Sequence, residues 1–164
     1  MKNHILRVLR RELNSFIKEI EMLPEDGYLW KTLPGVTNSI GILANHIIGN
    51  LNHFVGSVLG GTDYTRDREK EFLVSSKTRE QLIEELKKTD SMLENVFSAI
   101  PEENLSEIYP INVFGTNLET GEFLVNICMH TSFHLGQAGY LRRILTGENN
   151  SSSVFVNSPI QPKK

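Results

Sequence analysis

Four long segments of the chain repeat apolar residues every three or four positions, and this periodicity constrains the fold more than any other feature of the sequence. The repeating positions are Leu6, Leu9, Leu13, Phe16, Ile20 and Leu23; Ile40, Ala44, Ile47, Leu51, Phe54 and Val58; Leu82, Leu86, Leu93, Val96 and Ile100; and Leu124, Ile127, Thr131, His134, Ala138, Leu141 and Leu145. Each pattern is typical of a helix with one apolar face, and four such faces bury one another most simply in a bundle. The sequence therefore predicts an all-α fold, a four-helix bundle.

Proline, glycine and N-capping residues mark where these helices begin and end. The predicted limits are Pro24 after the first helix, Asn38 or Ser39 to Gly60 and Gly61 for the second, Thr78 to Ile100 for the third, and Thr120 or Gly121 to Gly147 for the fourth. Between the last two helices, the apolar stretch 108–114 contains Pro110, which favours a packed loop over a sheet strand.

The connection between the second and third helices, residues 61–77, is long. At about 3.3 Å per residue it can run back along a bundle about 30 Å tall. The second and third helices can therefore be parallel, which departs from a simple up-down-up-down order. The bundle domain is predicted to span residues 1–147, and residues 148–164 are predicted to form a flexible tail.

Length, charge and cysteine content exclude several classes of protein. The 164 residues are enough for one domain with a sizeable core. The net charge of −3 gives no electrostatic case for nucleic acid or an anionic membrane as a partner. No apolar run approaches the roughly 20 residues that a membrane span needs, and the first residues do not resemble a signal peptide. The single cysteine, Cys128, excludes an internal disulfide and fits a cytoplasmic protein.

Two histidines of the fourth helix, His130 and His134, are four residues apart. This spacing stacks them on one face with Cβ atoms about 5–6 Å apart, so that both imidazoles can reach one metal ion. A zinc protease of the usual kind has a glutamate directly after the first histidine, but that position is Thr131. The simpler alternative is a pair of histidines that hydrogen-bond to other side chains or lie half-exposed at the rim of the bundle.

A histidine of the second helix can complete a set of three ligands. His46 and His53 share nearly the same face but lie about 10 Å apart along the axis, so they cannot easily bind the same ion. His46 lies in the apolar interior of its helix and is the predicted ligand. Cys128 points about 200° away from His130 and is predicted to be a core thiol. His4 is predicted to be solvated.

Other polar and small residues accompany these histidines. Gln137 is a candidate to hydrogen-bond a metal-bound water or a neighbouring backbone group. Glycines inside the second and fourth helices indicate close helix approach or room for a ligand; they are Gly41, Gly49, Gly56, Gly136 and Gly139. The charged run from Tyr64 to Phe72 is predicted to be a solvated loop, with binding of a substrate carboxylate by Arg66 and Arg68 as the alternative.

Several motifs together resemble the DinB/YfiT-like superfamily of metalloenzymes. They are the segment 39–51 around His46, the motif His130-x3-His134-x-Gly136-Gln137, the triplet Leu141-Arg142-Arg143, and the run Arg66-Asp67-Arg68-Glu69 with Glu71-Phe72. The resemblance covers residues 1–147 and implies a bundle with up-down-down-up topology. It also implies a homodimer and a divalent metal ion, nickel or zinc, held by His46, His130 and His134.

Some members of that superfamily are thiol-dependent transferases, so the resemblance favours a metal-dependent enzyme that transfers a low-molecular-weight thiol to a small-molecule electrophile, as in detoxification or stress response. Two alternatives stay open. A hydrolase would use hydroxide on the metal, with Glu122 as the candidate general base. A non-catalytic metal-binding or dimerisation bundle would keep the same histidines as structural ligands. The sequence assigns no catalytic side chain.

Overall fold

Five α-helices make up most of the part of the chain that the computed structural model describes, which is residues 1–113, 115–150 and 152. The helices are α1 at Lys2–Glu21, α2 at Ile40–Leu51, α3 at Arg68–Glu71, α4 at Arg79–Ala99 and α5 at Thr120–Thr146. The turns that continue α2, Asn52–Leu59, are π-helical, and short 3₁₀ turns lie at Asp26–Tyr28 and Glu103–Ser106. The four long predicted helices are thus present, and α3 lies within the connection predicted to be a loop.

Side chains and glycine geometry fix the helix ends where the sequence predicts them. Ser39 Oγ accepts a hydrogen bond of 3.2 Å from the backbone N–H of Ile42 at the start of α2. Thr78 and Gln81 exchange hydrogen bonds in a capping box at the start of α4. Gly147 ends α5 with a φ of 73°, a left-handed conformation that glycine adopts without strain. The predicted caps are therefore confirmed.

Contacts between helices give the direction of each one. The pairs between α1 and α5 are Ile5 with Cys128 and Glu19 with Arg142, and those between α1 and α4 are Lys2 with Ile100 and Arg10 with Asp90. The pairs between α2 with its π-helical continuation and α4 are Asn52 with Thr89 and Gly56 with Met92, and those between the same segment and α5 are His46 with His130 and Phe54 with Phe123. Residue numbers rise together for α1 with α5 and for α2 with α4, and run oppositely for the other two pairs. The topology is up-down-down-up, as predicted.

The four predicted apolar stripes supply the core. Fully buried members include Leu9, Leu13, Phe16, Ile20, Ile47, Leu51, Leu82, Leu86, Leu93, Leu124 and Ala138. The packing of these faces holds α1 and α2 at opposite corners of the bundle, each against both α4 and α5. None of the described helices combines the length and the apolar character that crossing a bilayer requires.

The connection before α5 packs onto the bundle without forming a sheet strand in its described residues. Tyr109 is buried, and its hydroxyl donates a hydrogen bond of 2.7 Å to the carbonyl oxygen of Phe54. The described backbone of this connection pairs only through isolated bridges, Ile108 with Glu119 and Val113 with Thr116. The prediction of a packed loop is therefore confirmed as far as residue 113. Phe114 and most of the predicted flexible tail, residues 151 and 153–164, lie outside the described residues.

Candidate metal centre

Three histidine side chains from two helices meet between α2 and α5. The Nε2 atom of His130 lies 3.1 Å from Nε2 of His46 and 3.2 Å from Nε2 of His134. His46 is buried, and the other two are half-buried. The structure brings together the three histidines that the sequence singled out. His53 is not in this group, and its ring packs against Phe54.

Antiparallel packing of α2 against α5 produces this convergence. One turn of α5 stacks His130 and His134, whose ring centroids are 4.5 Å apart. His46 approaches both rings from the middle of α2, with its centroid 5.0 Å from each of them. All residues of α2 are buried, so both ring nitrogens of His46 need partners inside the protein.

Hydrogen bonds on the far side of two rings determine where their protons lie. Glu71 Oε2 accepts a hydrogen bond of 2.9 Å from Nδ1 of His46. An ionised carboxylate can only accept, so a neutral His46 carries its proton on Nδ1 and a lone pair on Nε2. In the same way, Nδ1 of His134 donates to Oε1 of Gln137 at 2.7 Å, which leaves a lone pair on Nε2 of His134.

Two lone pairs therefore point at Nε2 of His130, which can donate a proton to only one of them. Nδ1 of His130 is buried and has no hydrogen-bond partner among the described residues. A cation shared by the three Nε2 atoms removes the conflict. Nitrogens 3.1–3.2 Å apart, each about 2.1 Å from a cation, subtend about 95–100° at it, between the octahedral and tetrahedral angles. The three residues fit a divalent metal ion.

Burial keeps His46 and His130 in the form that binds metal. Burial and the charges of His134 and His46 lower the pKa of His130 to about 4. Burial also lowers the pKa of His46, against the opposing effect of its hydrogen bond to Glu71. Neutral imidazole is the metal ligand, so neither ring must lose a proton at neutral pH before it can bind.

Glu71 is the residue of this site that sequence reasoning missed. It ends α3 and is only 6% exposed, in the run predicted to be a solvated loop. Arg66 donates to it twice, from Nε to Oε1 at 2.6 Å and from Nη2 to Oε2 at 2.8 Å. The solvated-loop prediction is therefore wrong for Arg66 and Glu71, and the carboxylate that Arg66 binds belongs to the chain itself. Arg68 is exposed and lies over the ring of Phe72.

One glycine could have pointed to Glu71. Gly49 follows His46 by three residues, and a Cβ atom at this position would overlap the carboxylate of Glu71. The predicted close helix approach is confirmed at Gly49, because Glu71 belongs to α3; at Gly41 a Cβ atom would instead lie 2.6 Å from the ring of Trp30, which lies outside the helices. Gly136 does not follow this rule, because the space around it is open to 4 Å.

The remaining candidates lie outside the histidine group or support it. Burial raises the pKa of the Cys128 thiol to about 12, which agrees with an unreactive core thiol. His4 is exposed, as predicted, and pairs with Arg7. Glu122 is exposed in the first turn of α5. Gln137 supports His134 directly, whereas the sequence suggested a water molecule or backbone group as its partner.

Comparison with known proteins agrees with this architecture. A family model described as "Protein of unknown function (DUF1572)" matches residues 3–157. The chain belongs to this family. No curated protein matches this DUF1572 chain.

Two solved structures resemble the DUF1572 chain in fold. A conserved protein from Enterococcus faecalis is 18% identical, with a TM-score of 0.73 over 90% of this chain and 98% of that one. A DinB-like protein from Bacillus cereus is 22% identical, with a TM-score of 0.68 over 86% of this chain and 90% of that one. The predicted resemblance to DinB-like proteins is confirmed. At these identities the likeness shows the fold alone.

Proposed function

We propose that the chain is a metal-dependent enzyme whose divalent cation, nickel or zinc, is held by His46, His130 and His134. The observation that carries the proposal is the convergence of three imidazoles, with neighbouring Nε2 atoms 3.1 and 3.2 Å apart. Structural zinc sites are closed by four protein ligands, whereas catalytic sites have three and keep a position open. Two of the three histidines here are only half-buried, which favours a site that a substrate can reach.

The reaction that we propose is transfer of a low-molecular-weight thiol to an electrophile. A divalent cation in such a site is a Lewis acid that lowers the pKa of a thiol. The sulfur forms a bond to the electrophilic carbon, the leaving group departs with the electron pair of its broken bond, and the thiol proton passes to solvent. The resemblance to thiol-dependent transferases supports this choice. A reducing cytoplasm supplies such thiols and fits the free Cys128.

Hydrolysis at the same centre would need a general base. Both oxygens of Glu71 already accept hydrogen bonds, from His46 and Arg66. Glu122 is exposed and is not part of the histidine group in the described structure. These observations favour thiol transfer over hydrolysis, because a thiol that ionises readily needs no strong base.

A homodimer is also part of the proposal. The outer face of α5 carries a row of large apolar side chains at spacings of four and seven residues, each 46–68% exposed; the members of this apolar ridge are Val125, Met129, Phe133, Tyr140 and Ile144. A contiguous exposed apolar surface of this kind is typical of a subunit interface. The ridge borders the histidine group, because the ring centroid of Phe133 lies 5.2 Å from the ring centroid of His134. We expect a second copy of the chain to cover it.

Metal analysis tests the site. Elemental analysis of protein purified without a polyhistidine tag should find one nickel or zinc ion per chain. The His130→Ala variant should contain none above background, because two imidazoles remain. His53→Ala is the matched control, since His53 lies outside the group, and should keep its metal. Equal metal content in the His130→Ala and wild-type proteins would overturn the ligand assignment.

Thiol consumption against a panel of electrophiles tests the reaction. The metal-loaded protein should consume thiol and electrophile in equal amounts, and His134→Ala should fall to the rate without protein. Equal rates for the two proteins would rule out the mechanism. Turnover of esters or amides without added thiol would identify a hydrolase. Bound metal that raises the melting temperature but supports no turnover would identify a non-catalytic metal-binding module.

A further inference from the structure

Glu71 is shared between two partners that come from different parts of the fold. Its Oε2 atom accepts hydrogen bonds from Nδ1 of His46 at 2.9 Å and from Nη2 of Arg66 at 2.8 Å. Its Oε1 atom accepts from Nε of Arg66 at 2.6 Å. The carboxylate is buried, so these charge-assisted bonds form away from bulk water, where they are strong.

The contacts of His46 restrain its ring on two sides. Glu71 holds the Nδ1 edge, and the ring of Phe72 packs against the imidazole with centroids 4.9 Å apart. Both residues come from the same connection, 61–77. With the Nδ1 edge and one side restrained, Nε2 stays directed at His130. The connection therefore sets the orientation of a ring that belongs to α2.

Arg66 fixes the carboxylate in turn. Its planar guanidinium makes two hydrogen bonds to Glu71, one to each oxygen, which holds the plane of the carboxylate. The positive charge of Arg66 also balances the buried negative charge, which would otherwise be unfavourable. Gly49 leaves the space that Glu71 needs to reach over α2. His46 and Gly49 of α2, together with Arg66 of the connection, thus fix the position of Glu71 Oε2.

We propose that Glu71, held by Arg66, is a positioning residue of the metal centre: it orients His46 and strengthens metal binding without contacting the metal. This inference rests on the proposed function. A carboxylate on the far nitrogen of a ligand histidine fixes the tautomer and raises the basicity of the ring, and its loss typically costs about 10- to 100-fold in metal affinity. The competing explanation is that the pair of Arg66 and Glu71 only ties the connection to the bundle.

The dissociation constant of Zn²⁺, measured on the full-length untagged protein by competition with a chromophoric chelator, distinguishes these explanations. Glu71→Gln keeps the shape of the side chain and removes its charge, so we expect the dissociation constant to rise about 10- to 100-fold. Glu69→Gln removes the same charge from an exposed position of α3 and should leave the dissociation constant of Zn²⁺ unchanged. Equal dissociation constants for wild type and Glu71→Gln would overturn the inference and leave the proposed function standing. A wild-type protein that binds neither Zn²⁺ nor Ni²⁺ would overturn both.

The absorption spectrum of the Co²⁺-loaded protein separates positioning from simple attachment of the connection. In Glu71→Gln the ligand-field bands should shift, because His46 is reoriented or less basic. A residue that only tied the connection to the bundle would leave the bands of the loaded protein unchanged, which would overturn the inference. If Glu71→Gln loses its helical circular dichroism, Gly49→Ala takes its place in both measurements, because a methyl group there displaces the same carboxylate.

Discussion

Gly49 lies in the middle of α2, where alanine would normally favour the helix by about 1 kcal/mol. A methyl group at this position, however, would occupy the space of the Glu71 carboxylate. We therefore expect Gly49→Ala to raise the dissociation constant for Zn²⁺ by about 10-fold or more, because His46 loses its partner. Gly136→Ala is the control, because its surroundings are open; it should stabilise the fold by up to about 1 kcal/mol and leave metal binding unchanged.

A double-mutant cycle checks the cause of that effect. In a Glu71→Ala background there is no carboxylate to displace, so Gly49→Ala should weaken metal binding no further. The same loss of affinity in both backgrounds would show that Gly49 acts in some other way. Isothermal titration calorimetry of the four proteins with Zn²⁺ gives the coupling free energy directly.

At this scale the sequence predicted which three histidines meet, and it missed the carboxylate that supports one of them. The spacing of His130 and His134 follows from helix geometry, and the choice of His46 over His53 follows from its apolar surroundings. Glu71 is 25 residues from His46, and only the path of the connection through space brings them together. A charged run is ordinarily solvated, so burial of one carboxylate within it has no local signature.

Helix α5 presents three different faces to its surroundings. One packs on α1 through Cys128 and Arg142, and a second carries the two histidines towards α2. The third is the apolar ridge, which faces solvent. A helix with apolar residues on more than one face is normally covered on each of them. This is the physical basis for expecting a dimer through α5.

Charges placed at both ends of the ridge should separate the subunits. We expect the wild-type protein to be a dimer by light scattering and the double variant Val125→Lys/Ile144→Lys to be a monomer, since two lysines on each side cannot be buried together. Leu73→Lys/Val74→Lys adds the same charge to exposed apolar residues elsewhere and should remain dimeric. A monomeric wild-type protein at micromolar concentration, or a dimeric ridge variant, would contradict the assignment.

The long helices could be predicted because a repeat of three and four positions over several turns is a strong local signal. Their ends could be predicted from Ser39, Thr78 and Gly147, since caps act on the nearest turn. The π-helical turns at Asn52–Leu59 could not be predicted from the sequence. They change the hydrogen-bond partner by one residue only, and the predicted apolar stripe, which continues from Leu51 to Phe54 and Val58, carries no mark of that change.

The stability of the whole molecule should depend on pH through the half-buried ring of His130. In the metal-free protein His130 has a pKa of about 4, against 6.5 for an exposed histidine. Between these values the unfolded chain binds a proton that the folded chain does not, so the free energy of unfolding falls as the pH falls through this window. The contribution is complete above pH 6.5 and is lost towards pH 4. It is on the order of 2–3 kcal/mol, allowing for partial exposure.

Urea unfolding in the presence of a chelator, at several values of pH between 5 and 7, measures this dependence. His130→Gln should make it less steep, because glutamine does not titrate. Identical slopes for His130→Gln and wild type would contradict the assignment of the dependence to this ring.

The parallel course of α2 and α4 obliges the chain to travel the height of the molecule between them, and Arg66, Glu71 and Phe72 all lie on that return path. If tight hairpins replaced the long connection, the three histidines would still be present, but no segment would pass beside His46 to place a carboxylate at its Nδ1 atom. An engineer who copies this histidine group into another protein must therefore copy the route of the chain as well as the three side chains.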